Sequence, residues 1–178
     1  MPPGVSDNPT SKLPGAGDMF LSVKGATHGQ IKGESQDDSK HKGEIEVLSW
    51  SWGMQGRPSL GGGVASGKAT SRELKIIKKV DKASTALMSA LRSNEVIKEA
   101  VLTLRKVGKT PLEYLRITIE DGRVVSLEIE AGDAGGSPAL VERISFSFNK
   151  IEVEYTPQGG DGQPLGGTTF QDQWGDGG

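Results

Sequence analysis

The 178-residue sequence contains no cysteine, so a disulfide framework, a thiolate nucleophile and a cysteine-bound metal are excluded. It lacks a surplus of either charge. The 21 Lys and Arg stand against 23 Asp and Glu, interspersed and with a formal net charge of -2, which offers a phosphate backbone little to hold and makes nucleic acid a poor partner. No stretch approaches the ~18 apolar residues of a membrane span, and the opening MPPGVSDNPTSKLPGAGD has neither the basic start nor the apolar run of a secretory signal. The expectation is a soluble chain made in the cytoplasm, without membrane insertion, that leaves the cell only if another machine carries it. Its length suits one domain with a real core.

Catalytic and metal-binding motifs are also scarce. Histidine occurs only at His28 and His41, too few for a zinc site without cysteine, and both are expected to be solvated loop side chains. The carboxylates Glu34, Asp37 and Asp38 could touch calcium, but the EF-hand pattern is missing and a charged turn is the default reading. The run GGVASGKA, Gly62 to Ala69, approaches a phosphate-binding loop. Ala69 stands where a hydroxyl should meet magnesium, and the run leads into strand-like SRELKII instead of a helix. No G-x-S-x-G elbow or H-E-x-x-H is present. No catalytic, metal or cofactor-binding residue is assigned, no cofactor is expected, and the protein reads as a non-enzyme.

What the sequence has in abundance is glycine, 26 residues or about twice the usual ~7%, and short apolar-alternating segments. Residues 1–17 read as a flexible extension, 18–158 as the folded domain and 159–178 as a Gly-rich, loose tail apart from Phe170 and Trp174. Strands are expected at DMFLSVKG, from Glu44 to Met54, at SRELKIIKKV and in four later segments, while ATHGQIKGESQDDSKHKG reads as a polar connection, with a brief strand around Ile31 as the alternative. Gly108, Pro111 and the Asp121-Gly122 pair read as hairpin punctuation. In VERISFSFNKIEVEYTP the apolar positions pass from even (Ile144, Phe146, Phe148) to odd (Ile151, Val153, Tyr155), which predicts a bulge or bend near Asn149 and Lys150. One short helix fits DKASTALMSALRSN, capped by Asp81 or Ser84, with Ala83, Leu87, Ala90 and Leu91 on one face. The fold class is mainly β, a compact β-barrel of two packed antiparallel sheets with one short α-helix.

The segment KGEIEVLSWSWGM, Lys42 to Met54, raises a question. In a regular strand, Ile45 and Val47 lie on one side and Leu48, Trp50 and Trp52 on the other, so both faces are apolar. Core is the default place for such tryptophans, each ring burying ~150–250 Å². The rival is an exposed aromatic platform for sugar.

Several separated motifs, in order and at compatible spacing, closely resemble the haemolysin-coregulated protein (Hcp) family, the tube subunits of bacterial type VI secretion systems. They are KGESQDDSKHKGEIEVLSWSWGM with the Gly-rich loop after it, KKVDKAST at Lys78 to Thr85, IKEAVLTLRKVGKTPLEYLRITIEDG at Ile97 to Gly122, and VEYTPQ at Val153 to Gln158. The likeness spans about Asp18 to Gln158; the N-terminal extension, the connection at Ala26 to Gln30 and the ending TTFQDQWGDGG depart from the usual pattern. The resemblance implies a barrel that forms a homohexameric ring. Stacked rings make the inner tube of a contractile apparatus with sheath, spike and effector partners, cytoplasmic before assembly and secreted or delivered into a target cell after firing. It also implies that the loop at about Gln55 to Thr70 reaches neighbouring subunits, with Arg57, Pro58, Ser59, Leu60 and Val64 as contact residues. On this reading the strand residues Ile45, Val47, Leu48, Trp50 and Trp52 divide between the subunit's own core and an adjacent subunit. The alternatives are a stand-alone ligand- or carbohydrate-binding barrel and a specialised effector-binding or chaperone variant of the same family.

Overall fold

Strand β1 (Asp18–Gly25) buries Met19, Leu21 and Val23 on one face, as its alternation predicts. It turns at Gly29, whose φ of 64° lies in the left-handed region, into the brief antiparallel β2 (Gly29–Ile31). The computed structural model describes residues 17–37, 40–56, 69–108, 111–134 and 137–174. Next come β3 (Ile45–Glu46), β4 (Ser49–Ser51) and β5 (Met54–Gln55), followed by β6 (Thr70–Ser71) and β7 (Leu74–Lys79). Helix α1 (Ser84–Arg92) precedes β8 (Ile97–Lys106), β9 (Leu112–Ala134), β10 (Ser137–Tyr155) and β11 (Thr168–Gln173).

The strand pairings described are all antiparallel. The main sheet runs β2-β1-β8-β9-β10-β7-β4, with β3 also on β1 and β11 also on β10. The two packed faces expected from the sequence are thus two parts of one sheet curled on itself. Its circuit is closed by the segment from Ile45 to Ser51. Ile45 pairs with Leu21 of β1 and Trp50 with Ile76 of β7. The transfer falls between adjacent residues, where Val47 N–H donates to Met19 O at 3.0 Å and Leu48 N–H to Ile77 O at 2.8 Å. Closure gives the backbone groups of both flanking edges partners that an open sheet would leave unpaired.

The long strands β9 and β10 form the spine. Gly108 and Pro111 lie in the β8–β9 connection as expected, but Asp121-Gly122 is no hairpin. It lies inside the 23-residue β9, where Asp121 takes φ 50° and its carboxylate accepts the Asn149 amide at 2.6 Å. A hairpin is precluded because the residues on both sides of this point remain paired to the same neighbour, β10, while the pairing with β8 ends at Gly122. At this level the buried set changes phase on both strands: from Ile117 and Ile119 to Val124 on β9, and from Ile144 and Phe146 to Ile151 on β10. The register shift itself lies between Ser145 and Phe146, not at Asn149. Pairing of the two strands continues across Asn149, from Phe148↔Gly122 to Lys150↔Glu120.

Helix α1 buries Ser84, Leu87 and Ala90, with Ala83 buried just before it and Leu91 packed against the core. Ser84 does not cap. Asp81 Oδ1 accepts the Ala83 N–H at 3.0 Å in the turn leading in, which frees Ser84 for a buried contact described below. The helix ends at Ser93, and Asn94 follows at φ 52°, a left-handed exit that asparagine tolerates. The core gathers Leu21, Ile45, Leu102, Ile117, Ile119, Ile144 and Phe146 with the buried face of α1. The expected loose tail also contains a strand. Residues of β11 pair with β10 from Tyr155↔Thr168 to Lys150↔Gln173, because the second half of β10 has an edge that β7 does not cover.

Candidate functional site

The segment that closes the barrel answers the question its sequence raised. Ile45 and Val47 are buried, while Trp50 and Trp52 pack half-buried against the same core cluster. The one-residue change of phase at Val47 and Leu48 brings Trp50 and Trp52 against the same core that Ile45 and Val47 enter. Leu48 is half-buried. Trp52 gives its indole N–H to Ser71 Oγ at 3.0 Å, so neither ring forms a flat exposed platform for sugar.

The two tryptophans lead directly to the foot of the Gly-rich loop. There Met54 pairs with Ser71 and Gln55 with Thr70, and Arg72 N–H donates to Gly53 O at 2.9 Å. The predicted contact residues Arg57, Pro58, Ser59, Leu60 and Val64, together with most of GGVASGKA, lie outside the described residues. Ala69 is described: its carbonyl accepts the indole N–H of Trp174 at 3.3 Å. Met54 at the foot is 45% exposed.

Apolar side chains remain on the rims. Val125, Ile129 and Leu140 lie exposed on the β9–β10 arm, and Tyr155, Leu165 and Phe170 lie exposed around β11. Scattered apolar residues are ordinary on any surface, but groups of them mark contact sites. Along β4, β7, β10 and β9 runs a groove of about 420 Å³ with a mixed lining, polar at Ser49, Lys75, Ser126 and Arg143 and apolar at Trp50 and Ile77.

Three polar clusters escaped the reading of the sequence. Lys78 and Glu142 are both fully buried and meet at 2.7 Å. Lys78 Nζ also donates to Asp81 at 2.8 Å and Ser84 at 3.1 Å, while Ser84 Oγ donates to Glu142 Oε2 at 2.6 Å. The other carboxylate oxygen, Glu142 Oε1, is buried and has no hydrogen-bond partner. By alternation Lys78 shares the buried face of Leu74 and Ile76, and Glu142 that of Ile144 and Phe146, so only the residue types suggest solvent. Their pairing requires two strands 64 residues apart to meet, which only the β7–β10 register provides.

One of the two histidines contradicts the expectation of solvated side chains. His41 is buried, with its ring stacked on Phe20 at 4.5 Å between centroids and an interplanar angle of 5°. Its Nδ1 meets Glu44 and its Nε2 meets Glu113 at 2.7 Å. The stack also buries Phe20, against the alternation of β1, and Arg105 lies 5.0 Å from the Phe20 centroid. Arg105 grips Asp37 through two nitrogens, at 2.8 and 3.2 Å, and reaches Asp18 at 3.2 Å. The hydrogen bond with Asp37 is the main cause holding the guanidinium above its ordinary value, against desolvation, with Asp18 adding to it. His28 is exposed but not free: Nδ1 meets the buried Glu95 at 2.9 Å. Burial alone would raise Glu95, but hydrogen bonds with the His28 side chain and backbone and with Thr27, together with the charge of His28, outweigh it and hold the carboxyl below its ordinary value.

Of the carboxylates that could have met calcium, Glu34 accepts the Lys82 N–H at 2.9 Å and Asp37 is held by Arg105; Asp38 lies outside the described residues. Among the described residues no group of three or more His, Asp and Glu could hold a metal ion, and no helix is long and apolar enough to cross a membrane.

Among the described residues these elements define a small β-barrel closed by a tryptophan-bearing segment, with one helix and exposed apolar side chains around it. The family model described as type VI secretion system effector, Hcp, matches residues 20–155. Over 153 residues, covering 84% of this chain and 90% of the relative, the sequence is 39% identical to protein hcp1 of Pseudomonas aeruginosa. The fold is similar to the crystal structure of Hcp1 from Salmonella typhimurium, at 31% identity and TM-score 0.68, covering 88% of this chain and 95% of that one. It is similar also to a type six secretion system protein at 28% identity and TM-score 0.76, covering 86% and 92%. The chain belongs to the Hcp family, the tube proteins of type VI secretion systems.

Proposed function

We propose that this protein is a ring-forming tube subunit: six copies close into a ring, rings stack into an inner tube, and the tube is expelled by sheath contraction with effectors in its lumen. The observation that carries this reading is the family match across residues 20–155, which spans nearly the whole barrel. The apolar rims support it physically, since a ring uses heterologous contacts between two different patches of each subunit. On this reading the half-exposed parts of Leu48, Trp50 and Trp52, together with Arg57, Pro58, Ser59, Leu60 and Val64 of the loop, face neighbouring subunits or rings. The role is structural and not catalytic. Sheath, spike and effector proteins are the partners, and the protein passes from the cytoplasm to the outside by firing. The barrel of residues 18–158 is the assembling unit, flanked by the extension 1–17 and the tail 159–178.

Electron microscopy and sedimentation of the purified full chain test this. Sixfold rings with a central hole at micromolar concentration are expected; monomers alone, with no dependence on concentration, would refute it.

A further inference from the structure

The foot of the Gly-rich loop is weakly held by its own backbone. Its ladder has two residue pairs, Met54↔Ser71 and Gln55↔Thr70, and a ladder that short is not stable unaided. Two indoles flank it. Trp52 holds Ser71 Oγ at 3.0 Å. On the other strand, Trp174 reaches the carbonyl of Ala69, the residue just before β6, at 3.3 Å.

Trp174 is itself well placed to hold something. Strand β11 runs back along β10 and delivers it beside Asn149. There the Trp174 backbone N–H donates to Asn149 O at 2.5 Å, and its ring meets Phe148 edge to face, with centroids 6.0 Å apart. The indole packs against the core cluster while all six residues of β11 before it are exposed. The strand therefore contributes little buried surface of its own, and its end is its anchoring point. The chain path from β10 to the loop foot is continuous: Asn149 and Phe148 fix Trp174, and Trp174 fixes Ala69.

We propose that Trp174 is a positioning residue that clamps the foot of the loop, so that the C-terminal strand sets the direction in which the chain between Gln55 and Thr70 leaves the barrel. The clamp is a property of the single subunit. Its consequence rests on the tube reading above: a foot held in one geometry lowers the ordering cost of every contact the loop makes, so loss of the clamp weakens ring stacking while ring closure persists.

The test uses the full chain with Trp174→Ala, which removes ring and donor, and Trp174→Phe, which keeps a ring against Phe148 and removes the donor. Amide hydrogen exchange is followed at Gly53–Gly56 and Ala69–Arg72, with β8 as internal control, and tubes and rings are counted by electron microscopy. Exchange at the foot is expected to rise by about ten-fold in the alanine variant and about three-fold in the phenylalanine variant, the scale of lost packing and of one hydrogen bond. Exchange in β8 stays at the wild-type rate, and rings stay abundant while stacked tubes become fewer. Foot exchange unchanged in both variants overturns the clamp, and faster foot exchange with tubes of normal number and length overturns the link to stacking. If Trp174→Ala also accelerates β8, the phenylalanine variant decides by the same criteria. Failure of the tube reading looks different, because the wild-type protein would then form no rings at all.

Discussion

The buried pair of Lys78 and Glu142 offers the sharpest test of the packing described here. Both side chains are inaccessible and meet at 2.7 Å, and one Glu142 oxygen is already without a partner. Lys78→Met keeps the length of the apolar stem but leaves the Glu142 carboxylate with only the Ser84 hydroxyl, which donates at 2.6 Å. Breaking one partner out of a buried pair costs about 3–5 kcal/mol, because the remaining charge has neither water nor counter-charge. For a chain of this size that corresponds to a fall in Tm of roughly 6–20 °C. Replacing both partners, Lys78→Met with Glu142→Leu, removes the stranded charge and should recover most of the loss. Thermal and urea unfolding at one fixed protein concentration measure all three chains, since assembly would otherwise shift the midpoints by mass action. A Lys78→Met protein within about 1 kcal/mol of wild type, or a double variant less stable than the single one, would refute the reasoning.

Three further outcomes are expected. Because Glu95 is held below its ordinary value chiefly through His28, overcoming the effect of its own burial, its contribution to stability is complete above its unfolded value and is lost as pH falls through the lower folded value. His28→Ala should thus move the acid limb of the unfolding profile to higher pH, and an unchanged limb in a pH series from 7 to 3 would contradict this. At Gly33 an added Cβ would stand 2.5 Å from Glu44 O and 2.7 Å from the Ile45 Cα, both backbone atoms at the entry to the closing segment; Gly33→Ala should lower stability by about 1–3 kcal/mol in urea melts, whereas Gly53→Ala, with open space around it, should serve as a mild control. On the proposed tube function, Leu60→Glu should leave rings intact and impair stacking and secretion, and tubes of normal length from that variant, seen by electron microscopy, would remove the loop from the stacking contact.

Much of the fold was legible because it depends on local alternation. The buried faces of β1, β7 and β8, the apolar stripe of α1 and the turn at Gly108 and Pro111 are written in residues two, three or four apart, which sterics and burial read directly. The motif that closes the barrel was visible as an oddity, two apolar sets out of phase, without revealing what resolved it. Asp121-Gly122 misled for a physical reason: a left-handed residue beside a glycine makes a hairpin when the flanking segments pair with each other, and stays within one strand when both sides keep the same neighbour, here β10. His41, Lys78 and Glu142 were hidden more deeply. Polar residues among charged neighbours look solvated until a partner from far along the chain arrives, and Glu113 and Glu142 arrive from strands that sequence spacing does not place.

By itself the sequence determined the β-rich class, the single helix, the absence of cysteine chemistry and the family, because these follow from residue types, short-range periodicity and ordered motifs. Tertiary structure alone decided that Ile45 to Ser51 passes from β1 to β7, that β9 runs unbroken through Asp121, and that the tail returns as β11 to place Trp174 against Ala69. Each of these depends on which strand edges meet, and an edge's hydrogen bonds carry no mark of their partner in the residues that form them.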